Sequence, residues 1–158
     1  MAGKADFTEQ EWETMQKGVT GAALLVSLAD RGFFDTFKEV GALGKHLSQA
    51  RSKSSSQLVR ELAEVRGTGF GLTTSPNEVE SGATEALRSS VATLQAKAPD
   101  ELEAYRTFVL EVAQSVADAA DNIDPVETGA IDKIKAAMET TSPAPTPTAP
   151  APPTLSES

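Results

Sequence analysis

Apolar residues return every three to four positions along most of the first 139 residues, and no stretch alternates apolar and polar as a strand would. That pattern restricts the chain to helices packed on helices. Trp12, Met15, Val19, Ala22, Leu25 or Val26, and Leu28 trace one stripe that ends near Asp30. Phe34, Phe37, Val40, Leu43 and Leu47 trace a second over about 34–48, and Leu58, Leu62 and Val65 a shorter third over 57–65. Val79, Ala83, Leu87, Val91 and Leu94 form the next stripe; Leu102, Tyr105, Val109, Val112, Val116 and Ala119 or Ala120 form another. Ile131, Ile134 and Met138 complete the last. The expected fold is all-α: a compact bundle of about six to seven helices with a pseudo-duplicated helix–turn–helix pair.

Helix starts are marked as clearly as helix faces. Thr8 with Glu11 fits a capping box, and Phe7 stands where a hydrophobic staple belongs. Ser75-Pro76-Asn77-Glu78 sets a cap, a first-turn proline and an acid at the third helical position. Pro99-Asp100-Glu101 puts two acids at the positive end of the following helix. Asp124-Pro125-Val126-Glu127 repeats the capping-box pattern before the last helix. Gly18 and Gly21 lie inside the first helix, and Gly41 and Gly44 inside the second. Each costs about 1 kcal/mol relative to alanine, which predicts a close crossing of these helices or a partner against the backbone, close packing within the bundle being the simpler account.

Beyond Glu139 the composition changes. Residues 142–158 hold six of the nine prolines, with alanine and threonine in most gaps, and have almost nothing to bury. The predicted organisation is a flexible N-terminus over 1–7, an all-helical domain over 8–140 and a disordered tail over 141–158.

Composition removes several function classes. With no cysteine there is no disulfide framework, thiolate metal site or cysteine nucleophile. A net charge of −9 repels nucleic acid and anionic membranes, and Arg51-Ser52-Lys53 is too short a basic run to offset it. The longest apolar run, Ala22 to Ala29 with Ser27 inside it, is far below a membrane span, and no signal-peptide core opens the chain, so a cytoplasmic location is expected. The glycine-punctuated segment 66–71 follows no strand and precedes no lysine–hydroxyl pair, so it reads as a loop and not a phosphate cradle. His46 is the only histidine, expected at the surface or core boundary one turn from Leu43. With neither a second histidine nor a cysteine, the usual nucleophile–base pairs are not expected, and the chain reads as a non-enzyme.

Two segments resemble one another. Val26-Ser27-Leu28-Ala29-Asp30 precedes Glu39-Val40-Gly41-Ala42-Leu43-Gly44-Lys45, and Val116-Ala117-Asp118-Ala119-Ala120-Asp121 precedes Glu127-Thr128-Gly129-Ala130-Ile131-Asp132-Lys133. Each is an apolar helix ending at an aspartate, a turn, and a glutamate ahead of Gly-Ala-apolar-x-Lys. In these corners the chain resembles the tellurite-resistance TerB family, whose helices end in Ala-Asp-Gly, followed by isoleucine and a capped acidic helix start. Ala120-Asp121-Asn122-Ile123-Asp124-Pro125-Val126-Glu127 fits that pattern, with Asn122 where the family has glycine; asparagine tolerates the same left-handed backbone. Ala29-Asp30-Arg31-Gly32-Phe33 is a poorer copy, with an arginine inserted and a stretched spacing to Glu39.

The resemblance spans roughly residues 8–139. It implies a duplicated all-helical domain, a role in tellurite or general stress responses, and acidic residues that bind a metal ion. The residues meet that expectation at one place. Asp118, Asp121, Asp124 and Glu127 recur every three positions across a helix–turn–helix corner, and Asp30 and Glu39 belong to the other copy. Together they are the candidate ligands of a Ca²⁺ or Mg²⁺ ion. The competing reading makes Asp124 and Glu127 a cap and its capping-box partner, with Asp118 merely solvated. An EF-hand is excluded, because Ile123 and Pro125 fall where side-chain oxygens are required. The partners expected are a divalent cation and a second protein. The alternative function is a structural or scaffold-associated protein tethered through its proline-rich tail.

Overall fold

The capping box at Thr8 forms as predicted: the Thr8 amide donates to Glu11 Oε2 at 2.8 Å, and the Glu11 amide donates to Thr8 Oγ1 at 3.2 Å. It opens α1, Glu9–Ala29. Phe7 packs on Trp12 with ring centroids 6.2 Å apart, one residue before the cap and four after it, which is the staple geometry. Further contacts hold residues 3–7 against the bundle. Lys4–Asp6 form a 3-10 turn, the Lys4 amide donates to Glu61 Oε2 at 2.6 Å, and Phe7 is buried. The computed structural model describes residues 2–29, 36–64, 75–119 and 125–139, with the backbone alone over 36–42 and 125–128. The glycine-punctuated loop, both aspartate corners and the proline-rich tail lie outside the described residues.

The remaining helices are α2, Thr36–Lys53; α3, Gln57–Leu62; α4, Pro76–Lys97; α5, Leu102–Ala119; and α6, Pro125–Glu139. A 3-10 turn over Pro99–Glu101 leads into α5. No strand occurs among the described residues. Helix α2 runs past its predicted end because Arg51 and Lys53 suit the negative C-terminal end of a helix. Helix α3 stops at Leu62, short of the predicted Val65. Ser75 caps α4 as read, accepting from the Glu78 amide while Glu78 accepts from the Ser75 amide at 2.7 Å. No helix among the described residues is long and apolar enough to cross a membrane.

The core is built from the predicted stripes. Met15, Val19, Ala22 and Val26 on α1 meet Val79, Ala83, Leu87, Val91 and Leu94 on α4 and Tyr105, Val109, Val112 and Val116 on α5, all buried. Each fully buried leucine or valine contributes about 1.5–3 kcal/mol relative to an exposed one. Phe108 and Ala113 on α5 and Ala137 on α6 are also buried, although the stripe reading passed them over.

The two helix pairs are interleaved. Helices α1 and α5 pack on each other; α2, which follows α1, rests chiefly on α5, and α6, which follows α5, packs on α1 and α4 as well as on α5. The second helix of each pair thus crosses to the first helix of the other.

The predicted close crossing of α1 with α2 is corrected. Gly18 faces α4 and α5 instead: a methyl group there would stand 2.5 Å from the Tyr105 hydroxyl and 3.2 Å from Leu87 Cδ2. A methyl group at Gly44, on α2, would meet nothing within 4 Å. The glycine signal for a close approach was sound for α1, but its partner was misassigned.

Candidate functional site

Helices α2 and α5 run antiparallel and leave a groove between them. Lys53, at the end of α2, shares the wider part of the groove with Glu103, at the start of α5, and Lys45 shares the narrower part with Asp118. The wider part is about 610 Å³ and the narrower about 310 Å³; His46 and Gln49 line both.

His46 stands at the centre. Its side chain is 20 % exposed, which places it at the core boundary as expected. Its Nδ1 lies 3.1 Å from Ser115 Oγ, its Nε2 lies 3.6 Å from Glu111 Oε2, and its ring stacks on Phe108 at 6.3 Å between centroids. With Nε2 protonated towards Glu111, Nδ1 accepts from the Ser115 hydroxyl. Glu111 and Ser115 are four residues apart on α5, so one helix face presents both partners.

This contact corrects the expectation that no nucleophile–base pair is available, because Ser115 supplies the hydroxyl that the sequence reading did not connect with His46. Hydroxyl, imidazole and carboxylate stand in one line, but Ser115 lies within α5, where neighbouring amides are committed to the helix ladder. Among the described residues, the helix backbone around Ser115 thus aims no pair of free amides at a developing oxyanion. The trio ties α2 to α5.

The wider end of the groove is fixed by a buried polar pair. Ser56 Oγ accepts from the Val59 amide at 3.1 Å, capping α3, and donates to Glu101 Oε2 at 2.6 Å. Both residues are buried, and the bond joins segments 45 residues apart in the chain. At the far side of α5, Arg106 donates to Glu103 Oε1 at 2.6 Å and to the Met138 carbonyl at 2.9 Å, tying the end of α6 down.

Among the described residues, three groups have shifted proton affinities. Burial pushes the Tyr105 phenol well above its ordinary value, while its hydroxyl donates to the Met15 carbonyl at 3.1 Å. The Lys97 ammonium, 2.6 Å away, and the Thr8 amide hold the Glu11 carboxyl below its ordinary value. The Ser75 amide does the same for Glu78. All three lie outside the groove and serve the fold.

Of the predicted metal ligands, only Asp118 has a described side chain. It is exposed on the last turn of α5 and accepts from Gln114 Nε2 at 2.8 Å. Asp30, Asp121 and Asp124 lie outside the described residues, as do the side chains of Glu39 on α2 and Glu127 on α6. Among the described residues, no group of three or more histidine, aspartate or glutamate side chains is placed to hold a metal ion. The described part brings Asp118 together with Lys45, His46 and Ser115.

No protein-family model, curated protein or solved structure matches the chain.

Proposed function

We propose that this chain is a non-catalytic binding module of the TerB type, serving a tellurite or general stress response, whose acidic corner between α5 and α6 takes a divalent cation. The observation that supports this reading is the reciprocal packing of the two helix pairs, with α2 resting on α5 and α6 reaching α1. A duplicated domain built this way couples its corners, because each turn joins helices packed in opposite halves. An ion held by Asp121, Asp124 and Glu127, with Asp118 one turn back on α5, would tie the end of α5 to the start of α6. Binding would then favour one arrangement of the halves over others.

Titration calorimetry with Ca²⁺, Mg²⁺ and Mn²⁺ tests the reading. Asp121→Asn removes a charge but keeps the size of the side chain, so it should weaken cation binding and leave the helix content unchanged. Equal affinity of the variant and the parent chain would remove this corner as the site.

A further inference from the structure

The groove between α2 and α5 has rims of opposite sign. Lys45, Gln49 and Lys53 recur every four residues along the exposed edge of α2. Glu103, Thr107, Glu111 and Asp118 run along the exposed edge of α5. The antiparallel arrangement puts Lys53 towards the Glu103 end of the groove and Lys45 towards the Asp118 end, with Glu111 between them. Between the rims lie small or flat groups, Ala50, Ala104 and the His46 ring, which let another surface approach. Lys45 and Lys53 form no ion pair with any described residue, whereas Arg51, Lys97 and Lys133 each do.

We propose that this face binds a second copy of the chain, in a twofold dimer whose axis runs along the groove. A twofold axis lying in the interface and parallel to the groove carries the left rim of one copy over the right rim of the other, without changing level along the groove. The α2 rim of each copy then faces the α5 rim of its partner, so Lys53 comes nearest the partner's Glu103, and Lys45 falls between the partner's Glu111 and Asp118. Each contact occurs twice. A twofold axis running across the groove would oppose like charges and is disfavoured for the same reason. The described rims run over residues 45–53 of α2 and 103–118 of α5, about 12 Å and 22 Å of helix, a small face that suits a weak dimer. The overall charge of −9 per copy opposes association at long range, so close opposite-charge pairing is what selects this face over the rest of the acidic surface.

Sedimentation equilibrium of the full chain from micromolar to millimolar concentration, with three charge variants, decides the matter. The parent chain should dimerise. Lys45→Glu with Lys53→Glu makes both rims acidic, and Glu103→Lys with Asp118→Lys makes both basic; each should raise the dissociation constant at least about tenfold. Mixed in equal amounts, these two variants should form a heterodimer at least as well as the parent forms its homodimer. Circular dichroism checks that both fold. If either does not, Lys45→Gln with Lys53→Gln takes its place and must still weaken the dimer. A monomeric parent chain at millimolar concentration overturns the proposal, as does a dimer that neither charge variant weakens, or a mixture of two folded variants that stays monomeric.

Discussion

Two identical substitutions should change stability in opposite directions, because one glycine is enclosed and the other is open. Gly18→Ala adds a methyl group 2.5 Å from the Tyr105 hydroxyl and 3.2 Å from Leu87 Cδ2. Tyr105 has no exposed surface and cannot swing aside. Overpacking of this kind costs about 1–3 kcal/mol, and displacing the hydroxyl from the Met15 carbonyl forfeits about 1 kcal/mol more. The gain in helix propensity returns about 1 kcal/mol, leaving a net loss of about 1–3 kcal/mol. Gly44→Ala meets nothing within 4 Å and should stabilise α2 by about 0.5–1 kcal/mol. Urea denaturation followed by helical circular dichroism measures both. A double-mutant cycle sharpens the test, since Tyr105→Phe removes the atom that the new methyl group strikes. Gly18→Ala should therefore cost less in that background, by about 1 kcal/mol or more. Stabilisation by Gly18→Ala comparable to that by Gly44→Ala would refute the close crossing of α1 with α4 and α5.

Other consequences follow from single contacts. Ser56→Ala removes both the cap of α3 and the hydroxyl that satisfies the buried Glu101 carboxylate; it should cost about 2 kcal/mol in a urea titration, whereas exposed Ser55→Ala should cost little. Glu11 and Glu78 have depressed carboxyl affinities, so their contribution is present above their ordinary value of 4.5 and is lost as the pH falls through their lower folded values. Replacing both by glutamine should flatten the acid limb of a plot of melting midpoint against pH; an unchanged slope below pH 4.5 would contradict the assignment.

Much of the fold is readable along the chain because helices carry their own periodicity and punctuation. The stripe on α4 and the caps at Thr8 and Ser75 need only local rules, and each appears where the residues put it. Partner choice is different. Gly18 announces a close approach but not which helix approaches, since that depends on where Tyr105, 87 positions away, comes to rest. Helix α2 continues past Ser48 because terminal Arg51 and Lys53 favour a helix end without adding to any apolar stripe. The groove was less legible still. His46, Glu111 and Ser115 are unremarkable on their own helices, and only the packing of α2 on α5 makes them neighbours. The four-residue spacing of Glu111 and Ser115 was the available signal, because it places an acid and a hydroxyl on one face for a third group to bridge. The acidic corner has the opposite character: its three-residue rhythm is conspicuous in the chain, yet Asp124 and Glu127 match the capping-box pattern around Pro125 equally well.

The most direct test of the proposed cation response is a thermal melt of the purified chain, first with chelator and then with millimolar Ca²⁺, Mg²⁺ or Mn²⁺. An ion present at a hundred times its dissociation constant adds about 2.7 kcal/mol, enough to raise the midpoint by several degrees. The account predicts a rise that is selective among the three ions and reduced in Asp121→Asn. An unchanged midpoint with every ion would contradict it and leave Asp124 and Glu127 as a cap and its partner.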